Sequence, residues 1–107
     1  MNRPKVYVTQ ATPHDLTPAS KFGELSVLLK STRDHSHATR EMLQQFHEGL
    51  RDFSDQDFLI LVGDPVAMTI AVNVAAEVNE GRVKLLKWSR KYTDYVPIEV
   101  DFFDFTT

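Results

Sequence analysis

Residues Phe58 to Trp88 read FLILVGDPVAMTIAVNVAAEVNEGRVKLLKW, and this stretch decides the fold. Phe58–Val62 is a short, unbroken apolar run, the pattern of a strand buried on both faces. Gly63-Asp64-Pro65 then turns the chain. Asp64 suits a helix N-cap, because its carboxylate can accept from free N–H groups of the first turn, and Pro65 suits the first helical position, where no N–H is needed. Gly81 ends the helical pattern, and Val83–Trp88 begins the next strand. A strand–helix–strand unit of this kind is expected to cross over right-handed, with its two strands parallel.

The rest of the chain extends this unit in both directions. Lys5–Thr9 is an alternating strand with Val6 and Val8 on one face. Residues 10–23 form a connection in which Thr17-Pro18 and a later Gly23 suggest a single helical turn. Leu25–Leu29 is a second strand, and the polar run 30–36 a loop. His37–Phe53 is an amphipathic helix with Ser36 as its cap. Met42, Leu43, Phe46, Leu50 and Phe53 share its apolar face, and Arg40, Gln44, Glu48 and Arg51 lie opposite.

The helix Pro65–Glu80 differs. Thr69, Asn73 and Glu77 make one narrow polar stripe, and nearly all else is Val, Ala, Ile or Met. Such a helix must be covered on several sides, by the sheet and by either the first helix or a second subunit, so a homodimer is one expectation. After a Ser89–Asp94 turn, Val96, Ile98, Val100 and Phe102 alternate as a last strand. Pro97 cannot donate to a ladder, which places this strand at an edge and makes the last two strands an antiparallel hairpin. The expected fold is a single α/β domain over residues 1–107, with a mixed sheet of about five strands in the order β-β-α-β-α-β-β and two main helices.

Composition narrows the function classes. A chain of 107 residues, 42% hydrophobic and 25% charged, is one globular domain that buries roughly 65% of its unfolded surface. It contains no cysteine, which removes thiol catalysis, disulfides and cysteine-ligated metal centres. The net charge of −3 argues against general nucleic-acid binding. No window approaches the length of an apolar membrane span, so a cytoplasmic protein with no membrane partner is expected.

Several residue groups carry chemistry. Gly63 and Asp64 sit where a helix N-terminus receives anions or nucleotides, yet one glycine and an acid make a thin phosphate cradle, and capping accounts for the turn. His35 and His37 beside Asp34 form an H-x-H pair without a matched third and fourth ligand. His47 is about 15 Å further along the helix, and His14 and Asp15 are in another loop, so no metal site and no cofactor is expected. Lys84, Lys87, Trp88, Arg90 and Lys91 combine cations with an aromatic ring, as single-strand nucleic-acid sites do, and as solvated hairpins also do. Phe102, Phe103, Asp104 and Phe105 end the chain with more apolar surface than a free tail exposes, which suits docking on a protein partner, including as an added strand. Ser20, Ser26 and Ser89 have no nucleophile-elbow setting, and the carboxylates are scattered, so the chain reads as non-enzymatic.

The segments DLTPASKFGELSVLL (Asp15–Leu29), DFLILVGDP (Asp57–Pro65), GRVKLLKW (Gly81–Trp88) and YVPIEV (Tyr95–Val100) resemble a group of small uncharacterised phage-encoded proteins. The resemblance brings no catalytic motif and no residue role. It implies a protein made in an infected bacterial cytoplasm that acts by binding host or phage macromolecules.

Overall fold

The computed structural model describes residues 3–30 and 39–105. The elements are β1 (Lys5–Gln10), a 3₁₀ turn (Thr17–Phe22), β2 (Glu24–Leu29), α1 (Thr39–Leu50), β3 (Phe58–Ile60), α2 (Pro65–Val78), β4 (Arg82–Ser89) and β5 (Asp94–Asp101). They form one five-stranded sheet in the order β2-β1-β3-β4-β5. The first four strands are mutually parallel, and β5 closes the sheet as an antiparallel partner of β4. The fold is therefore α/β with a mixed sheet and a C-terminal hairpin, and Pro97 lies on an edge strand.

The chain steps from β1 outward to β2, then back past β1 to β3 and on to β4. Connections of one hand put the outward step and the two return steps on opposite faces of the sheet. The packing agrees. α1 and α2 share one face with Tyr7, Leu29, Leu59 and Val83, while the 3₁₀ turn covers the other with Val6, Val8, Ile60 and Leu86. Successive residues of β1 and of β4 alternate between these two cores, as the strand period of two demands.

α1 buries Met42, Phe46 and Leu50, and Phe53 joins the same core from just beyond the helix end. Leu43 departs from the expected face and is 40% exposed. α1 packs over the edge strand β2 and against α2, and Leu43 falls partly outside that contact. α2 buries Ala67, Ala71, Val74, Ala75 and Ala76 against the sheet and α1, with Ile70, Val72 and Val78 partly covered. One chain thus covers most of the helix, while Val66 in its first turn stays 41% exposed. The expected cap Ser36 and the pair His35 and His37, with Asp34, lie outside the described residues.

Buried polar groups are few and hold the strands in place. Asp57, almost fully buried, accepts from the Lys5 N–H at 2.9 Å, from the Ser54 N–H at 2.9 Å and from the Ser54 hydroxyl at 3.1 Å. It ties the entry of β1 to the loop before β3, and three donors satisfy a carboxylate that burial would otherwise penalise.

Candidate functional site

In open α/β sheets, ligands bind beyond the carboxyl ends of the strands where the order reverses. Here that crevice lies between β1 and β3, and side chains of β1 bridge it. The Thr9 hydroxyl, fully buried, donates to the Val62 carbonyl and accepts from the Val62 N–H at 2.9 Å. One residue on, the Gln10 side chain accepts from the Asp64 N–H at 2.8 Å. Gly63, at φ +96°, presses so close to Gln10 that a Cβ there would lie 2.1 Å from its Oε1. Only glycine fits that position. Gly63 and Asp64 are therefore packed against Gln10. Asp64 acts as the N-cap, accepting from the Val66 N–H at 3.0 Å, and its other oxygen is buried with no hydrogen-bond partner among the described residues.

The same contacts open a site one strand away. They draw the end of β3 toward β1, so the expected strand Phe58–Val62 stops at Ile60. The β3–β4 ladder has the single register pair Leu59↔Leu85, while β4 runs on to Ser89. Between the separating strands lies a cleft of about 630 Å³. Ile60, Leu61, Val62, Leu85 and Leu86 supply its apolar walls, and His14, Asp15 and Leu16 close it from the connection after β1. Trp88, Lys87 and Arg90 line it from the end of β4, joined by Tyr95 and Ile98 of β5. Residues from both faces of the sheet contribute, as a gap between strands requires.

The aromatic wall is built by the hairpin. Trp88 and Tyr95 are register partners, and their rings meet edge-on at 5.1 Å and 73°. Beside this contact Trp88 remains 43% exposed. Burial and the charge of Asp15 hold the Tyr95 hydroxyl above its ordinary pKa, so it remains a neutral donor. Asp15 is occupied by the Thr17 hydroxyl and N–H, which lower its pKa. Lys21 pairs with Asp94, fastening the 3₁₀ turn to the start of β5. Of the cleft's charges, Lys87 and Arg90 make no ion pair recorded among the described residues, so the rim is locally positive in a chain of net charge −3.

The structure divides the basic-aromatic group read from the sequence. Lys87, Trp88 and Arg90 meet at the cleft. Lys84 does not, because it stacks on Phe58 at 4.3 Å nearer the other end of the strand, and Lys91 stacks on Tyr92 at 5.4 Å in the hairpin turn. Among the described residues no cluster of three or more His, Asp or Glu is arranged to hold a metal ion. His14, Asp15, Leu16, Tyr95 and Ile98 were not distinguishable as site residues by sequence pattern, since their proximity depends on the strand order.

The C-terminal group lies at the opposite end of the hairpin. Phe102, Phe103 and Phe105 are 43%, 55% and 84% exposed. Phe102 donates its N–H to the Gly81 carbonyl at 2.7 Å, and Phe103 donates its own to Asp101 Oδ1 at 3.0 Å. Asp104 donates to the Asp101 carbonyl at 3.3 Å. Phe102 and Phe103 form a turn, and the main-chain donors of Phe102, Phe103 and Asp104 are already used.

Residues 4–102 match the family described as Phage Pam3 gp32-like protein. The chain belongs to that family. No curated protein and no solved structure gives a significant match. Family membership agrees with the resemblance to small phage-encoded proteins and places this chain among phage proteins. No helix among the described residues is long and apolar enough to cross a membrane.

Proposed function

We propose that this phage protein acts by binding a host or phage protein in the cytoplasm of the infected cell, without catalysing a reaction, and that Phe102, Phe103, Asp104 and Phe105 carry the contact. The observation behind this reading is the exposure of Phe102 and Phe103 on a turn whose backbone is internally bonded, with Phe105 exposed just beyond it. Exposed aromatic groups on a preordered segment lose little entropy on docking, and aromatic anchors dominate interface energies. Asp101 and Asp104 flank the rings, which suits an apolar pocket rimmed by cations.

The hydrogen bonds near Pro97 favour docking through side chains over strand addition. Strand addition needs free N–H groups along an edge. Pro97 has none, and its place opposite Leu86 turns the neighbouring odd-numbered positions of β5 outward, where the Tyr95 N–H is taken by Asp94 Oδ1 at 2.8 Å. The partner, or a second copy of the chain, is engaged through side chains. A Phe103→Ser/Phe105→Ser double variant is expected to lose capture of a host or phage protein that wild type retains, with circular dichroism unchanged, while Trp88→Ala retains capture. Light scattering over a concentration series separates self-association from capture of another protein. Equal capture by the double variant and wild type refutes the reading.

A further inference from the structure

We propose that the cleft between β3 and β4 binds a planar aromatic base carrying a phosphate group, with the base on Trp88 and the phosphate held by Lys87 and Arg90. The site is separate from the phenylalanine turn and its chemistry is different.

Three features converge on this ligand. The first is size and place. A recess of about 630 Å³ falls within the roughly 300–1,000 Å³ span of small-ligand sites, and it opens at the carboxyl ends of two parallel strands. The second is a flat aromatic surface. The contact with Tyr95 at 5.1 Å steadies the Trp88 indole, which lines the cleft and is 43% exposed, and every nucleobase has a π-face to set against it. The third is charge. Lys87 and Arg90 line a largely apolar cleft in an acidic chain, and its one carboxylate, Asp15, already accepts from the Thr17 hydroxyl and N–H. An anion is drawn to that rim, and a guanidinium matches phosphate oxygens in a two-pronged contact.

The wall itself adds hydrogen-bonding capacity. Parallel pairing beyond Leu59↔Leu85 would use the main chain of Leu61 and Trp88, but the ladder ends before them. Both residues line the cleft. A purely apolar guest would make no use of the two cations.

The same chemistry reaches the site from a free nucleotide or from a single-stranded nucleic acid. Trp88 is the sole tryptophan of the chain, so its fluorescence reports on the cleft alone. Titration with adenosine 5′-monophosphate and with oligothymidylate is expected to quench or shift that emission. Adenosine and ribose 5-phosphate, each lacking half the ligand, should bind about tenfold or more weakly. By calorimetry, Trp88→Ala and Lys87→Ala/Arg90→Ala should each weaken binding by roughly tenfold or more, whereas Trp88→Phe keeps a ring and stays within a few-fold. Phe103→Ser should leave the titration unchanged. Oligothymidylate binding that falls with salt at a slope of about −0.7 per phosphate, with weak mononucleotide binding, assigns a strand as the source. The reverse assigns a free nucleotide. Both preserve the proposal. It is overturned if no probe binds at millimolar concentration, if adenosine or ribose 5-phosphate binds as well as the nucleotide, or if Lys87→Ala/Arg90→Ala binds like wild type.

Discussion

Thr9→Val tests the contact that both bridges the β1–β3 crevice and opens the neighbouring cleft. The β1–β3 ladder runs Val6↔Phe58, Tyr7↔Leu59 and Val8↔Ile60, then ends. In place of a further rung, the Thr9 hydroxyl serves both polar groups of Val62. Valine has nearly the same shape as threonine, so packing around this fully buried position is preserved while both hydrogen bonds are lost. Removing one partner of a hydrogen bond costs about 1–3 kcal/mol for each buried donor or acceptor left without a partner. Val62 is half-buried, which places the two penalties at the low end of that range. The sum is about 2–4 kcal/mol, a large share of the roughly 5–15 kcal/mol that holds a domain together.

Urea denaturation measures this directly. The midpoint should fall with little change in slope, since the surface exposed on unfolding is nearly the same. On heating, the midpoint should drop by roughly 10–30 °C. Thr9→Ser is the control. It keeps the hydroxyl and loses one methyl, so it should cost about 1 kcal/mol. With its clamp gone, Val62 is free to approach β4, so Thr9→Val should also shift Trp88 emission toward the blue. If the valine variant matches the serine variant within about 0.5 kcal/mol, the hydroxyl is not the clamp and the account of the cleft's origin fails.

Two further predictions address the other end of the sheet and the surface charges. Gly81→Ala should cost about 1–2 kcal/mol from its φ of +88°, and the new Cβ, 2.5 Å from Phe103 Cγ, should displace the phenylalanine turn; a thermal midpoint equal to wild type, with unchanged Phe103 side-chain resonances, would refute that close packing. Asp55 is held below the ordinary carboxylate range by hydrogen bonds from Arg82 and then Asn79, and Asp94 by Lys21 and then the Tyr95 N–H. A carboxylate lowered by folding stabilises above its unfolded pKa and ceases to do so as pH falls through the folded value. The gap in melting temperature between wild type and Asp55→Asn should therefore be present at about pH 7 and vanish near about pH 2; a gap constant across that range rejects the assignment.

Local chemistry was legible in the sequence to the extent that it was local. The Gly63-Asp64-Pro65 turn announced an N-cap, and Asp64 accepts from Val66 as a capping residue does. Pro97 announced an edge strand, because a missing N–H is tolerated only there. The five strands and two helices followed from periodicity. The length of β3 did not, since it is set by Thr9, fifty-three residues away in the chain. Gln10 has no pattern that marks it as the residue filling a turn on another strand. The cleft was invisible for the same reason: its walls come from four separate segments that only the order β2-β1-β3-β4-β5 brings together. Lys84 and Trp88 were grouped by strand alternation, which fixes a face but not a height along the sheet. Phe58 claims the first and Tyr95 the second.

That difference in height matters for how the two proposed contacts relate. β4 and β5 pair from Arg82↔Asp101 to Ser89↔Asp94, with Trp88 near one end and the phenylalanine turn just beyond the other. Six residues of strand separate their levels, about 20 Å. The hairpin between them is held by a continuous ladder and by the buried Val83 and Leu86, so it joins the sites as a rigid spacer. Neither site shares a side chain with the other, and changes that far apart with no common partner add independently. A base bound at Trp88 would therefore leave Phe103 and Phe105 exposed for a protein. The same chain could hold a nucleotide or a strand end at one end of the hairpin and a protein at the other, bringing the two together without altering either contact.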